Sequence, residues 1–318
     1  MAKKSKIIVI ALGGNALNSP EGQGDYLEQV RNAGKAAKEI AKAVKLGYKV
    51  VITHGNGPQV GNILLQQEYS KEHVSPMPLA VCGAQSQGQI GTILVKVLNS
   101  KTQVQAIAII THVLVDPKDE AFKNPAKPIG PIYTPTEARQ LKKQGITLKE
   151  IRVAAFRRVV PSPLPLEILE LKGIKAILKN GLIPVAVGGG GIPVIKNGNQ
   201  LKLVDAVIDK DLASQVLASQ LKADILVILT NVSKVSLNFG KKNQVLLDKI
   251  NLKEAKNYLA QGHFAPGSMG PKVESAIKFI EKSLPALPAG QAGGRQAVIT
   301  DFKNLIKALD GKTGTIIS

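Results

Sequence analysis

The sequence predicts an α/β protein built on a largely parallel sheet with helices on both faces. Three observations carry this. Strand-like and helix-like segments alternate along most of the chain. The strand-like segments are continuous apolar runs rather than alternating ones, as strands buried on both faces require. Glycine-rich turns follow several of them, and in open parallel sheets ligands bind beyond the carboxyl ends of the strands.

Taken in order, residues 6–12 read as a strand. The opening MAKKSKIIVIALGG superficially resembles a signal peptide, but its apolar run is short and leads straight into glycines. Residues 26–46 predict a helix with apolar positions at Leu27, Val30, Ala33, Ala37, Ile40 and Val44. Residues 48–53 are the next strand, 84–98 a helix and 104–111 another buried strand. Residues 116–150 break the rhythm. Pro117, Pro125, Pro128, Pro131 and Pro135 fit neither a central strand nor a helix interior, which predicts a protruding subdomain or lid. Lys127 stands there between two prolines.

A helix over 166–180 leads to the most informative stretch, IPVAVGGGGIPVIKNGNQLKLVDAVIDKDLA. An apolar strand, 183–187, runs into Gly188, Gly189, Gly190 and Gly191. Four adjacent residues without Cβ suit a sharp turn whose backbone admits close approach. Asn197-Gly198 between two β-like runs signals a hairpin. Asp209-Lys210-Asp211 then opens a helix, with Asp209 as its N-cap. The second half continues with a strand over 224–230, a helix over 252–261, and a helix to about 282 that Pro271 opens. Strands at 297–300 and 315–317 complete the set. Residues 284–294 have no periodicity and predict a flexible surface insertion within a single domain spanning 1–318.

Composition narrows the function classes. With 44% hydrophobic residues the chain is globular, and no apolar run approaches the roughly 18 residues that span a bilayer. The single cysteine, Cys82, excludes an internal disulfide and fits the cytoplasm. A net charge of +19 raises nucleic acid as a partner, but the lysines are scattered and few aromatics could stack bases. The charge fits a solvated surface that attracts phosphorylated substrates better. Gly311-Lys312-Thr313 lacks the preceding glycine of a P-loop, since Ile306 occupies its place, and Val60 breaks a dinucleotide fingerprint. His54, His73, His112 and His263 lack metal-ligand spacing. What remains is a set of glycine turns at Gly13-Gly14-Asn15, Gly55-Asn56-Gly57 and Gly188 to Gly191, with Lys127, Lys210 and Lys272 as mobile cations. Phosphoryl transfer needs little more than backbone amides, cations and a metal.

At this point the resemblance is specific. The blocks IALGGNAL, VVITHGNGPQVGN, NPAKPIGPIY, RRVVPSP, VGGGGIPV, AVIDKDLA, ILTNV, GHFAPGSMGPKV and GKTGT resemble the carbamate kinases of the amino acid kinase superfamily, in that family's order and over nearly the whole chain. The resemblance implies a three-layer αβα sandwich around an eight-stranded, largely parallel sheet, with a protruding subdomain and a homodimer. It also implies reversible phosphoryl transfer between carbamoyl phosphate and ADP, giving carbamate and ATP with Mg2+ carried by the nucleotide; no residue is assigned as a metal ligand. Carried over by position, Lys127, Lys210, Asp211 and Lys272 would be catalytic. Gly13, Gly14, Asn15, Gly55, Asn56, Gly57 and Gly188 to Gly191 would bind substrate or phosphate. Asp209, Thr230, Asn231, Val232, Phe264, Gly267, Ser268 and Met269 would bind the nucleotide. Ala11 matches too, because other amino acid kinases carry a lysine there. Asn231 departs from the family's ILTDV and removes a charge near the nucleotide. The competing readings are a kinase of another small acid or phosphate on the same fold and a non-catalytic nucleotide-binding module.

Overall fold

A computed structural model describes residues 5–13, 17–18, 24–198, 200–282 and 294–318. Gly14, Asn15 and nearly all of the 284–294 segment therefore lie outside the described residues.

Strand β1 (Ile7–Leu12) leads to helix α1 (Tyr26–Lys45), β2 (Lys49–His54), α2 (Gly57–Ser70) and α3 (Leu79–Asn99). The short β3 (Ala106–Ala108) and β4 (His112–Val115) follow. Next come β5 (Lys127–Tyr133), α4 (Pro135–Lys143), β6 (Leu148–Arg152) and β7 (Ala155–Val160), then β8 (Pro165–Ile168), α5 (Leu171–Lys179) and β9 (Ile183–Val185). A single 3-10 turn, Gly188–Gly190, precedes the hairpin β10 (Ile192–Asn197) and β11 (Gln200–Leu203). The second half runs through α6 (Lys210–Leu221), β12 (Ile225–Leu229), β13 (Ser236–Leu237), β14 (Val245–Leu246) and β15 (Lys249–Ile250). It ends with α7 (Leu252–Ala260), α8 (Met269–Glu281), β16 (Gln296–Thr300), α9 (Leu305–Leu309) and β17 (Thr315–Ile317).

The main sheet has eight strands in the order β15-β17-β16-β12-β1-β2-β9-β3. Its pairs are parallel except β16 with β17. Successive side chains of β1 and β12 go to opposite faces. Val9, Leu226 and Ile228 pack with α5, α6, α7 and α8, whereas Ile8, Ile10 and Val227 pack with α1, α3 and α9. This is the expected three-layer αβα arrangement, and continuous apolar strands are its direct consequence.

Local chemistry explains most element ends. The Asp25 side chain caps α1 by accepting from Glu28 N at 2.8 Å, and Ala33, Ala36, Ala37 and Ile40 form its buried stripe. Leu27, expected in that stripe, is 63% exposed. Thr134 and Asn251 build reciprocal capping boxes with Glu137 and Glu254 at the starts of α4 and α7.

Four expectations are corrected. Residues 57–70 form helix α2, where the sequence suggested only a glycine turn; Pro58 in the first helical turn was the available signal. Only Ala106–Ala108 of the expected 104–111 strand joins the main sheet, since β4 pairs instead with β8 and β10 in a separate four-stranded sheet. Residues 165–168 are strand β8 rather than the start of a helix, following the prolines at 161, 163 and 165 that keep the chain extended. The proline-rich segment forms part of a three-stranded antiparallel sheet, β5-β7-β6, that extends past residue 150 to Val160. Pro128 and Pro131 sit in its edge strand β5, where a missing donor costs no ladder bond.

The turn after β9 fixes the middle of the molecule, and the four glycines are filled by the protein itself. A Cβ on Gly189 would lie 2.2 Å from the Asn56 side-chain nitrogen, and one on Gly190 would lie 2.3 Å from the Ile208 carbonyl oxygen. The N–H groups of Gly190 and Gly191 donate to Val187 and Gly188, so they close the turn and are not free for an anion. Gly190 also has φ +91°, which L-residues avoid. Gly190→Ala therefore combines a backbone clash with a disfavoured conformation and is expected to destabilise the fold by at least about 2 kcal/mol. Urea unfolding of the variant would measure this, and an unchanged midpoint would refute the placement of the turn.

Candidate active site

Strands β1, β2, β9 and β12 all end on one edge of the main sheet, and the chain that follows each contributes to a cleft there. The N-terminus of α6 supplies its charge. Asp209 caps this helix, its Oδ1 accepting from the N–H groups of Asp211 at 2.9 Å and Leu212 at 3.5 Å. Its other oxygen, Oδ2, accepts from Lys127 Nζ at 3.0 Å. One carboxylate thus starts a helix of the main body and holds a lysine that arrives on β5.

Asp211 is 3% exposed and takes two lysines at once. Lys210 Nζ lies 2.6 Å from Oδ1, and Lys272 Nζ, from the first turn of α8, lies 2.9 Å from Oδ2. Burial opposes ionisation of Asp211, but the two lysines outweigh it and hold its carboxyl down to about 2. Burial and the neighbouring Lys272 lower the pKa of Lys210 against the pull of Asp211. Removing Asp211 would leave both ammonium groups uncompensated, a loss of about 3–5 kcal/mol, whereas removing either lysine leaves a balanced pair. The backbone beneath is fixed as well. Ser214 donates to the Lys210 carbonyl at 2.6 Å, which leaves its oxygen to accept from the Thr53 hydroxyl at 2.6 Å. That chain ties α6 to β2.

The opposite wall comes from the end of β2 and the start of α2. The Asn56 side-chain amide donates to Ser86 at 2.8 Å, and Ser86 donates to the Gly83 carbonyl at 2.6 Å. His54 is buried beneath it, with Nδ1 3.0 Å from the Gly55 carbonyl. A carbonyl only accepts, so that nitrogen carries a proton. Burial lowers the His54 pKa to about 4, against the hydrogen bond to Gly55 and with help from Lys210.

The cleft enclosed by these walls is about 250 Å³. It is lined by Lys127, Asp209, Lys210, Asp211 and Lys272, all expected from the sequence. Gly55, Asn56, Gly57 and Gly189 line the same space, as do Gly267 and Ser268 at the start of α8. Gly188, Gly190 and Gly191 lie behind this surface: the first two are buried and Gly191 packs on Val113. Gly13 follows β1 against the Leu229 carbonyl. Thr230, Asn231 and Val232 follow β12 at the same sheet edge, with Asn231 exposed, but they do not line this cleft. Phe264 is 5% exposed and Met269 packs against the same core, so the core takes up the Phe264 side chain and part of the Met269 side chain. Sequence reasoning missed Arg157, which lines the cleft from β7. The block RRVVPSP had flagged the segment, but nothing in it says which arginine turns inward.

Both cleft carboxylates are already engaged by lysines, and among the described residues no group of three His, Cys, Asp or Glu side chains could hold a metal ion. A protein-ligated metal does not fit this cleft; anions do, because four cations face two carboxylates. Among the described residues no helix is long and apolar enough to cross a membrane.

Residues 6–287 match the amino acid kinase family, and the chain belongs to that family. Within it the likeness runs end to end with carbamate kinases. The chain is 43% identical to the carbamate kinase of Pyrococcus horikoshii and 46% identical to that of Staphylococcus haemolyticus, with 98% of both partners covered in each case. The structure of the Giardia lamblia carbamate kinase bound to AMP-PNP superposes with a TM-score of 0.90 at 43% identity, covering 99% of this chain and 98% of that one.

A buried neutral histidine makes stability depend on pH. Above the unperturbed pKa of 6.5, His54 is neutral in the folded and unfolded states and its contribution is complete. As pH falls from there toward about 4, the unfolded chain takes up a proton that the folded protein refuses, so stability declines. The loss amounts to about 3 kcal/mol. Denaturant unfolding at stepped pH is expected to show this limb in the wild type and a shallower one in His54→Gln. Identical limbs would place His54 in a hydrated environment.

Proposed function

We propose that this protein is a carbamate kinase, transferring a phosphoryl group reversibly between carbamoyl phosphate and ADP. The observation that carries this is the pairing of Lys210 and Lys272 on buried Asp211, with Lys127 on Asp209, inside a chain that matches carbamate kinases over nearly its full length. In the direction of ATP formation, a β-phosphate oxygen of ADP attacks the phosphorus of carbamoyl phosphate. The bond to the carbamoyl oxygen breaks, and carbamate leaves with the electron pair. No proton need be removed from the attacking oxygen, so the protein's work is positioning and charge stabilisation.

Lys210 and Lys272 suit that work because Asp211 holds them in place before substrate arrives. Lys272 is also in the first turn of α8, whose dipole favours anions. Lys127 reaches the cleft from β5, on the small sheet, and would complete the site as a lid does. Gly13, Gly14, Asn15, Asn56 and Gly189 would receive the phosphoryl and carbamate ends. Asn231 would lie near the nucleotide, where an amide keeps the hydrogen-bonding shape of an aspartate without its charge. Magnesium supplies further neutralisation when the nucleotide brings it. Assembly as a homodimer and a cytoplasmic location accompany this reading, the latter supported by a single buried free cysteine.

A coupled assay of ATP formation from carbamoyl phosphate and ADP tests the proposal directly; no ATP from purified protein would overturn it. Removing one preorganised donor costs roughly 2.7–4 kcal/mol, a rate loss of about 10²–10³. Lys210→Met and Lys272→Met are expected to lower kcat by that factor while far-UV circular dichroism shows the fold retained. Lys127→Met is expected to raise KM for carbamoyl phosphate as well. Near-wild-type kinetics in all three would refute these roles.

A further inference from the structure

The cations of the cleft are matched to carboxylates, with one exception. Lys127 is held by Asp209, and Lys210 and Lys272 share Asp211. Arg157 lines the same cleft, yet among the described residues it forms no ion pair. Its hydrogen bonds there go to one neutral acceptor: Nε and Nη2 donate to the Gly130 carbonyl at 3.2 and 2.8 Å. Arginine has five N–H donors in a rigid plane. One edge of the guanidinium is therefore pinned to β5, and its other donors have no protein acceptor among the described residues. Partial burial without a carboxylate also lowers its pKa, the mark of a charge whose lost hydration is not offset. A guanidinium remains protonated nonetheless.

Position selects the ligand. Gly130, which anchors the guanidinium, packs on α2: a Cβ on Gly61 would lie 3.6 Å from the Gly130 Cα. The N-terminus of α2 opens into the same cleft through Gly57 and Pro58, its N-cap Asn56 makes no side-chain capping bond, and its first turn has no acidic residue. Arg157 thus stands on the wall made by α2 and β5, whereas Lys272 comes from α8. The α8 side carries the Gly267 and Ser268 turn assigned above to the nucleotide. Resting on the carbamate kinase reading, we propose that the free edge of Arg157 binds the small acyl phosphate substrate and sets the affinity for it independently of the nucleotide. A planar fork of donors matches two oxygens of a phosphate, which a lysine in its place could not do.

The competing role is purely structural, a brace between β7 and β5. Arg157→Gln and Arg157→Lys separate the two. Binding predicts that Arg157→Gln raises KM for carbamoyl phosphate at least about tenfold while KM for ADP stays within about twofold, since loss of a charged hydrogen-bond partner is of that order. Arg157→Lys, which keeps the charge and loses the fork, falls between. A brace predicts a lowered Tm with both KM values moved together, or no change at all, and either result overturns the proposal. A second measurement needs no turnover. Inorganic phosphate is expected to raise the Tm of the wild type in the absence of ADP, and this shift is lost in Arg157→Gln; equal shifts in the two proteins would also overturn the assignment. Should the wild type make no ATP from carbamoyl phosphate and ADP, the functional reading fails, and the phosphate measurement still decides whether Arg157 holds an oxyanion.

Discussion

The sharing of one buried carboxylate between two lysines is the constraint on which the rest of the site depends. Asp211 has almost no contact with water, so its charge exists only because Lys210 and Lys272 are beside it. The reverse also holds, since two ammonium groups this close would repel each other without the carboxylate between them. Buried ion pairs of this kind are poor sources of stability, because desolvation takes back most of the attraction. The arrangement makes sense as preorganisation: it fixes two cations at a cleft and leaves the set with one positive charge in excess, aimed at an anion.

Several ordinary folding features serve that one constraint. Asp209 caps α6 and so sets where Lys210 and Asp211 emerge. The Thr53–Ser214 hydrogen bond anchors the same turn to β2. The four-glycine turn brings Asn56 and the Ile208 carbonyl closer than any side chain would allow, and this draws the end of β2 toward the start of α6. The glycines are thus accounted for first by the approach of the protein to itself, and only then by any ligand. Parallel topology does the remainder, since every strand that ends at this edge hands its following turn to the same cleft.

Much of this was legible in the sequence because it rests on local patterns. Apolar runs gave β1, β2 and β12, Asn197-Gly198 gave the hairpin, and Asp209-Lys210-Asp211 announced a capped helix start with charges. What was not legible depends on pairing. Residues 104–111 look like one strand, but after Ala108 the chain leaves the main sheet for another. Residues 166–168 have helix-compatible composition, yet with Pro165 they form a strand that pairs with β4. Helix α2 hid behind its glycines, which read as a turn. Arg157 is the clearest case: its significance lies in lacking a carboxylate, and no pattern along the chain can show which of many basic residues is left unmatched in space.

The distribution of charge between the two sheets gives the cleft its logic. Lys210 and Lys272 belong to helices packed on the main sheet, whereas Lys127 and Arg157 belong to strands of the small one. Among the described residues, the Lys127–Asp209 pair is the ion pair that spans the two bodies within the cleft. Four cations against two carboxylates leave a surplus of two positive charges. Bringing the small sheet closer to the main body without a ligand would concentrate that surplus in a space with little water, which electrostatics opposes. A phosphorylated ligand reverses the sign of the argument, because its oxygens can accept from both sides at once. Among the described residues, the Lys127–Asp209 ion pair thus joins the two walls within the cleft, and the surplus positive charge faces the space between them.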